Sequence, residues 1–452
     1  MSICLYIYNL FNPNQIIDYN ILMNKNIALA ALITLALPGI TLAQETTATA
    51  KTLQNVQPEV MNKVKTMAEE LIKKGFTAGD GYGEVWIRDL NTFIELSCKV
   101  NDKSQIRKHL ITFFQFQQPD GSILDGYIPS EKAGSEGKFY KSDLVPGFLG
   151  HKNTVETDQE TSLIQAIAKY IRVTGDKTIL NDKVAGLTVK KQMERAMDFL
   201  MKERFNEKYG LIWGATTADW GDVQPEQGWG VVIDENTHRA IDIYDNAMFL
   251  IAIEDFMAVG DLSAGQTQKW KGIYKNVRQN INKYLWDEKA QKYIPHVYLN
   301  GSPFPASFDE SKVYYHGGTA VAIEAGLLTR QQVKEAYKKM QQNVKDANAA
   351  TIGLTLYPVY PAGTFQNKVM GPYSYQNGGD WTWFGGRMVT QLIRYNLLAE
   401  AKEALDPMLA RVISNNGFYE WYTPDNKPKG SSSFRGEAGV LWTAITELEK
   451  KK

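Results

Sequence analysis

From residue 53 to the C-terminus, segments whose apolar residues recur three and four apart alternate with loops rich in Gly, Pro, Asp and Trp. That rhythm is helical, and no other feature limits the fold as much. It predicts helices over 55–74, 88–99, 103–117, 157–174, 188–204, 240–259, 265–285, 315–326, 330–344, 384–397, 399–413 and 434–449. Several of the twelve pair through short connections such as AVGDLSAGQTQ at 258–268, which makes six helical hairpins. Strand signals are confined to YIPHVYL at 293–299 and IGLTLYPVY at 352–360, both short β excursions in loops between helices. An open solenoid would repeat its loop lengths, whereas here they run from a few residues to the 35 between 205 and 239. The expected fold class is all-α: a closed (α/α)6 toroid of twelve helices, six inside and six outside. Closure brings the ends of the inner helices onto one rim, and the loops of that rim are where chemistry belongs.

The first 43 residues stand apart from this pattern. MNKN from Met23, the apolar run 27–37 and Thr41-Leu42-Ala43 before Gln44 read as a secretory signal peptide, preceded by an over-long start whose true beginning is Met23. The run is too short for a comfortable membrane span, and no lipoprotein cysteine stands at the cleavage point. Residues 44–452 are therefore expected to form a single barrel domain that is periplasmic or secreted and not held in a membrane. Cys4 leaves with the leader and Cys98 remains alone in the helical pattern TFIELSCKV, a small core residue rather than a nucleophile. Lys and Arg together number 50, as do Asp and Glu, so no global field favours nucleic acid or an anionic membrane. A neutral ligand suits this balance, and the ten tryptophans, most of them in loops, suit ringed ligands.

Three loops carry chemistry. GDGYGEVWIRDLNTF at 79–93 sets Trp86, Arg88 and Asp89 at a helix start. Indole can stack on a sugar ring while guanidinium and carboxylate bond neighbouring hydroxyls, although a capping aspartate with an ion pair reads the same way. YGLIWGATTADWGDVQPEQGWG at 209–230 holds Asp219 and Asp222 among Trp213, Trp220 and Trp229. Tryptophan walls desolvate a carboxyl and raise its pKa, as an acid that must keep its proton near neutrality requires. One of the two aspartates is the candidate acid. NNGFYEWYTPDNKPKGSSSFRGEAGVLW at 415–442 places Glu420 between Tyr419 and Trp421, where a carboxylate could deprotonate water; Glu437 is the rival. Two weaker segments, 375–388 with Asp380, Trp381, Trp383 and Arg387, and 151–162 with Glu156, Asp158, Gln159 and Glu160, either line subsites or cap helices.

Trp86-Ile87-Arg88-Asp89, then Asp219-Trp220-Gly221-Asp222, then Phe418-Tyr419-Glu420-Trp421-Tyr422-Thr423-Pro424 before a Gly/Ser loop resemble, in that order, the motifs of the six-hairpin glycosidases. The first is similar to the sugar-holding Trp-x-Arg-Asp of glucoamylases and bacterial debranching glucosidases. The third resembles the general-base segment of family 63 glucosidases, which implies that Glu420 is the base. The second is similar to the Asp-Trp-Asn-Asp of cellobiose phosphorylases and, more loosely, to the Ser-Gly-Trp-Asp of trehalases and family 63 enzymes, where the last Asp is the acid; this implies Asp222, with Asp219 the runner-up. The chain lacks room for the N-terminal β-sandwich common among these relatives.

The resulting expectation is an inverting glycoside hydrolase for a neutral, α-linked glucoside or oligosaccharide, with Asp222 as acid and Glu420 as base. Trp86, Arg88, Asp89, Asp219, Trp220, Trp381, Trp383 and Trp421 would bind the sugar. No cofactor is needed, and no His/Cys spacing suggests a metal. The competing readings are a disaccharide phosphorylase or sugar epimerase on the same fold, and a non-catalytic carbohydrate-binding protein.

Overall fold

Residues 57–134, 139–228 and 231–451 are described by the computed structural model. The expected signal peptide, Cys4 and Trp229 lie outside them. Twelve α-helices follow one another: α1 Pro58–Ile72, α2 Ile87–Val100, α3 Lys103–Gln115, α4 Gln159–Thr174, α5 Val189–Phe199, α6 Ile243–Val259, α7 Ala264–Tyr284, α8 His316–Glu324, α9 Arg330–Asp346, α10 Thr382–Arg394, α11 Leu398–Ser414 and α12 Arg435–Glu449. The even-numbered helices touch in the order α2, α4, α6, α8, α10, α12 and back to α2, a closed ring, and the odd-numbered helices pack outside it. The (α/α)6 toroid expected from the sequence is the observed fold. Among the described residues no helix is long and apolar enough to cross a membrane.

Burial separates the two rings. α6 is buried on nearly every side, from Ile243 and Tyr244 to Phe256 and Val259, because it is enclosed by ring neighbours and an outer helix. α7, outside it, buries only Trp270, Val277 and Ile281 and turns its remaining faces to water. The helix starts differ as well. Four outer helices are stopped at their N-termini by their own side chains: Asp102, Thr188, and the capping boxes Ser263/Gln266 and Thr329/Gln332. Four inner helices, α2, α8, α10 and α12, instead start after an aromatic residue that caps nothing: Trp86, Tyr315, Trp381 and Phe434. Their first-turn amides are left to the residues of the rim.

Strands are short and confined to loops. A three-stranded antiparallel sheet joins Val85–Trp86, Gly126–Pro129 and Phe148–His151. The expected strand at 293–299 is two separate pieces, Lys292–Tyr293 and Val297–Tyr298, and that at 352–360 shrinks to Leu356–Tyr357. The hairpin of Tyr419–Tyr422 with Pro428–Ser432 shifts register between Tyr419 and Trp421. Its inner edge is pinned by backbone: Asp380 and Tyr422 exchange amide hydrogen bonds of 2.9 and 2.8 Å. The Asp380 carboxylate is itself buried, pairing with Arg411 at 2.9 Å and accepting the Thr351 amide at 2.9 Å, and the Arg411 guanidinium lies over the Tyr422 ring. Asp380 and Arg387 are thus structural and not subsite residues: Arg387 pairs with Glu324, 2.9 Å away, at the opposite mouth of the barrel.

Because the Asp380–Arg411 pair is wholly buried, removing one partner strands the other charge. Arg411→Leu is expected to lose about 3–5 kcal/mol of unfolding free energy in a urea titration; a loss under about 1 kcal/mol would contradict the role given to this pair.

Candidate active site

The rim at the N-terminal ends of the inner helices encloses a cavity of about 410 Å³. Its wall takes residues from the starts of α2, α10 and α12, and from loops that carry Asp125, Glu156, Asp222 and Glu420.

Arg88, in the first turn of α2, is the hub. Its Nη1 lies 2.5 Å from Asp125, 2.7 Å from Glu156 and 3.9 Å from Asp158, and its Nη2 lies 3.5 Å from Asp222. One cation thus gathers four carboxylates. Burial pushes the carboxyls of Asp125 and Glu156 above their ordinary range, with Arg88 opposing and their neighbours adding to the rise. Beside the hub, Asp89 is buried and its Oδ1 has no hydrogen-bond partner. Its carboxyl is pushed up to about 7, chiefly by burial, then against Arg88 and with help from Glu420.

Asp222 keeps the most open carboxylate of the hub, with its side chain 23% exposed. Gln376 clamps it twice, donating from Nε2 to Oδ1 at 2.8 Å and accepting the Asp222 amide at 3.3 Å. Gly221 is required here, since a Cβ would sit 2.7 Å from the Gln376 Oε1. Glu420 projects from the Tyr419–Tyr422 strand with both oxygens held: Oε1 accepts from the Tyr82 hydroxyl and Oε2 from the Ser431 amide, each at 2.8 Å. Gly430, at φ +69°, again permits the approach, because a Cβ would lie 2.4 Å from Oε2. Burial raises the Glu420 carboxyl above its ordinary range, the Ser431 and Tyr82 donors oppose this, and Asp222 adds to it.

Aromatic rings complete the wall. Trp220 meets Trp381 edge-on at 4.8 Å and stacks on Phe384 at 4.3 Å. Trp381 and Trp383 are held by their indole N–H groups, on the Tyr375 carbonyl at 2.9 Å and the Thr92 hydroxyl at 2.8 Å. Trp86 tilts against His151, ring centroids 5.4 Å apart.

Of the ten residues singled out in the sequence, eight line this one cavity: Trp86, Arg88, Asp89, Trp220, Asp222, Trp381, Trp383 and Glu420. Two do not. Asp219 is buried at φ +57°, and its two oxygens accept the Gly317 and Gly318 amides at 2.7 Å, so it closes the start of α8 and does not line the cavity. Trp421, next to Glu420 on the strand, does not line the cavity and packs edge-on against Tyr375, which does. The rival Glu437 is also buried and structural, accepting the Tyr419 amide at 2.6 Å and the Tyr422 hydroxyl at 3.0 Å. Sequence reasoning missed Tyr82, Asp125 and Gln376. Their partners lie 338, 37 and 154 residues away, and no local pattern marks them. Among the described residues no group of three or more His, Cys, Asp or Glu side chains is arranged to hold a metal ion.

A twelve-helix toroid with a carboxylate-lined, tryptophan-walled cavity at one rim is the architecture of a six-hairpin glycosidase. The chain matches the catalytic domain of the glycosyl hydrolase 94 superfamily over residues 56–382, and it belongs to that superfamily. The matched stretch includes Arg88 and Asp222 and ends before Glu420. No curated protein matches it by sequence. Among solved structures it is similar in fold to a family 63 mannosylglycerate hydrolase from Thermus thermophilus in complex with glucose: TM-score 0.57, 14% identity, covering 86% of this chain and 100% of that one. It is also similar to a rhamnosidase from Klebsiella oxytoca with rhamnose bound: TM-score 0.57, 11% identity, covering 86% of this chain and 64% of that one.

Asp89 supplies a test of the site's electrostatics. Its pKa near 7 in the folded chain exceeds the ordinary carboxyl value of 3.8, so its contribution to stability is intact below pH 4 and is lost as the pH rises through 7. Asp89→Asn removes that loss. The variant is expected to exceed wild type in unfolding free energy at pH 8 by at least about 1.4 kcal/mol, the worth of one pKa unit, and to match it at pH 4. Equal differences at both values would refute the assignment.

Proposed function

We propose that this glycosidase is an inverting hydrolase of a neutral, α-linked glucoside or oligosaccharide, with Asp222 as general acid and Glu420 as general base. The observation that carries the reading is that both carboxylates open on one aromatic-walled cavity, Asp222 held by Gln376 beside Arg88 and Glu420 by the Tyr82 hydroxyl and the Ser431 amide. Asp222 gives its proton to the glycosidic oxygen as the carbon–oxygen bond breaks. Glu420 takes a proton from a water that attacks the anomeric carbon from the opposite face. Tyr82 and Ser431 aim the Glu420 oxygens, and its burial makes it a stronger base. The departing proton leaves Asp222 charged beside Arg88, whose positive charge is already spread over three other carboxylates.

Charge also argues for water over phosphate as the acceptor. The wall carries Asp89, Asp125, Glu156, Asp222 and Glu420 against Arg88 and Lys152, and both cations already have partners: Lys152 pairs with Glu160 at 3.3 Å. A phosphate dianion would find no free cation there. Epimerisation by a histidine pair is disfavoured because His151 is the one histidine of the wall. The signal peptide expected between Met23 and Ala43 supports a place in the periplasm or the exterior.

Asp222→Asn and Glu420→Gln are each expected to lose about 10²–10⁴-fold in kcat against a panel of α- and β-linked disaccharides while retaining the wild-type circular dichroism spectrum. Wild-type rates in both variants would overturn the assignment.

A further inference from the structure

The catalytic cavity adjoins a second cleft of about 640 Å³, and the two share Tyr140, Lys152 and Thr154 as a common wall. A substrate longer than the cleaved sugar would continue into this cleft. Its charge is the reverse of the cavity's: Lys152, Arg204 and Arg239 face Asp120 and Glu203. Both acids are engaged locally, Asp120 accepting the Ser122 amide at 2.9 Å and Glu203 pairing with Lys202 at 3.0 Å.

The cleft is built around Trp213. The guanidinium carbons of Arg204 and Arg239 lie over its ring, 4.8 and 5.0 Å from the centroid. Backbone pairing fixes all three: Trp213 donates its amide to the Arg204 carbonyl at 2.9 Å, and Ala215 pairs with Arg239 across two short strands. Arg204 is 8% exposed, and its Nη2 donates to the carbonyl of Thr154, a residue of the shared wall, at 2.9 Å. Its Nη1 is buried without any acceptor. A charged donor held in that state is costly, and an anion brought to it would relieve the cost.

Resting on the hydrolase reading above but departing from it in the charge of the whole substrate, we propose that this cleft is a subsite for a carboxylate-bearing unit, a uronic acid joined to the neutral sugar that occupies the cavity. Guanidinium groups match a planar carboxylate through paired N–H donors. With Lys152 already paired to Glu160, Arg204 and Arg239 are the cleft's cations for that carboxylate.

Two measurements test this. In the first, wild type and Arg239→Gln are compared on glycosides whose second unit is glucuronic acid, its methyl ester or glucose. Arg239 is exposed, and its removal leaves the fold intact. The expected result is a KM for the acid at least about tenfold below that for the ester in wild type, and a KM for the acid alone raised about tenfold in Arg239→Gln with kcat unchanged. Equal KM for acid and ester, or equal effects of the substitution on both, would overturn the proposal. The second measurement is independent of turnover: calorimetric titration of glucuronate into both proteins, with weaker binding expected in Arg239→Gln and in high salt. Binding of glucuronate by an enzyme that cleaves no glycoside would defeat the hydrolase reading and leave the subsite standing. Absence of glucuronate binding together with cleavage of neutral glycosides would defeat the subsite alone.

Discussion

All six inner helices present their N-termini to the same rim, and much of the site's chemistry descends from that arrangement. Each helix start brings unpaired amides and the positive end of a dipole, so carboxylates are the side chains that accumulate there. Asp89 and Glu437 occupy the first turns of α2 and α12, Glu160 and Asp245 those of α4 and α6, and Asp219 reaches across to close α8. The opposite mouth, lined by the later turns of the same helices, shows ordinary ion pairs such as Arg172 with Asp255 and Arg387 with Glu324.

Among these acids, a structural oxygen and an available one differ by what surrounds them. Glu437 and Asp219 do not line the cavity, and their bonds to backbone amides and a tyrosine hydroxyl fix the rim. Asp222 and Glu420 are aimed at the cavity by Gln376, Tyr82 and Ser431. The buried Asp380–Arg411 pair matters because Asp380 also carries the backbone bonds that seat the Glu420 strand beside the start of α10.

The helices were legible because their signal is local: apolar spacing and capping residues lie within a few positions of one another, and all twelve appear where the periodicity put them, with ends moved by a few residues. Trp86, Arg88 and Asp89 were legible for the same reason, being one short run at a helix start. Asp219 and Asp222 could not be told apart, since their difference lies in the turn between them: Asp219 at positive φ points to α8, and only Asp222 meets Gln376. Trp421 does not line the cavity, and its place follows from the packing of the 419–422 strand on Tyr375, which the motif around Glu420 does not display. Tyr82, Asp125 and Gln376 act through partners that only the closure of the ring brings near, and no reading confined to neighbouring residues reaches them.

The claim that water, activated by Glu420, attacks opposite the bond protonated by Asp222 fixes the stereochemistry of the product. Proton NMR of the first sugar released from a substrate of known anomeric configuration, recorded before mutarotation, reads this directly. The account predicts the inverted anomer. Release of the anomer with the substrate's own configuration would mean that a carboxylate attacks carbon itself, and would contradict it.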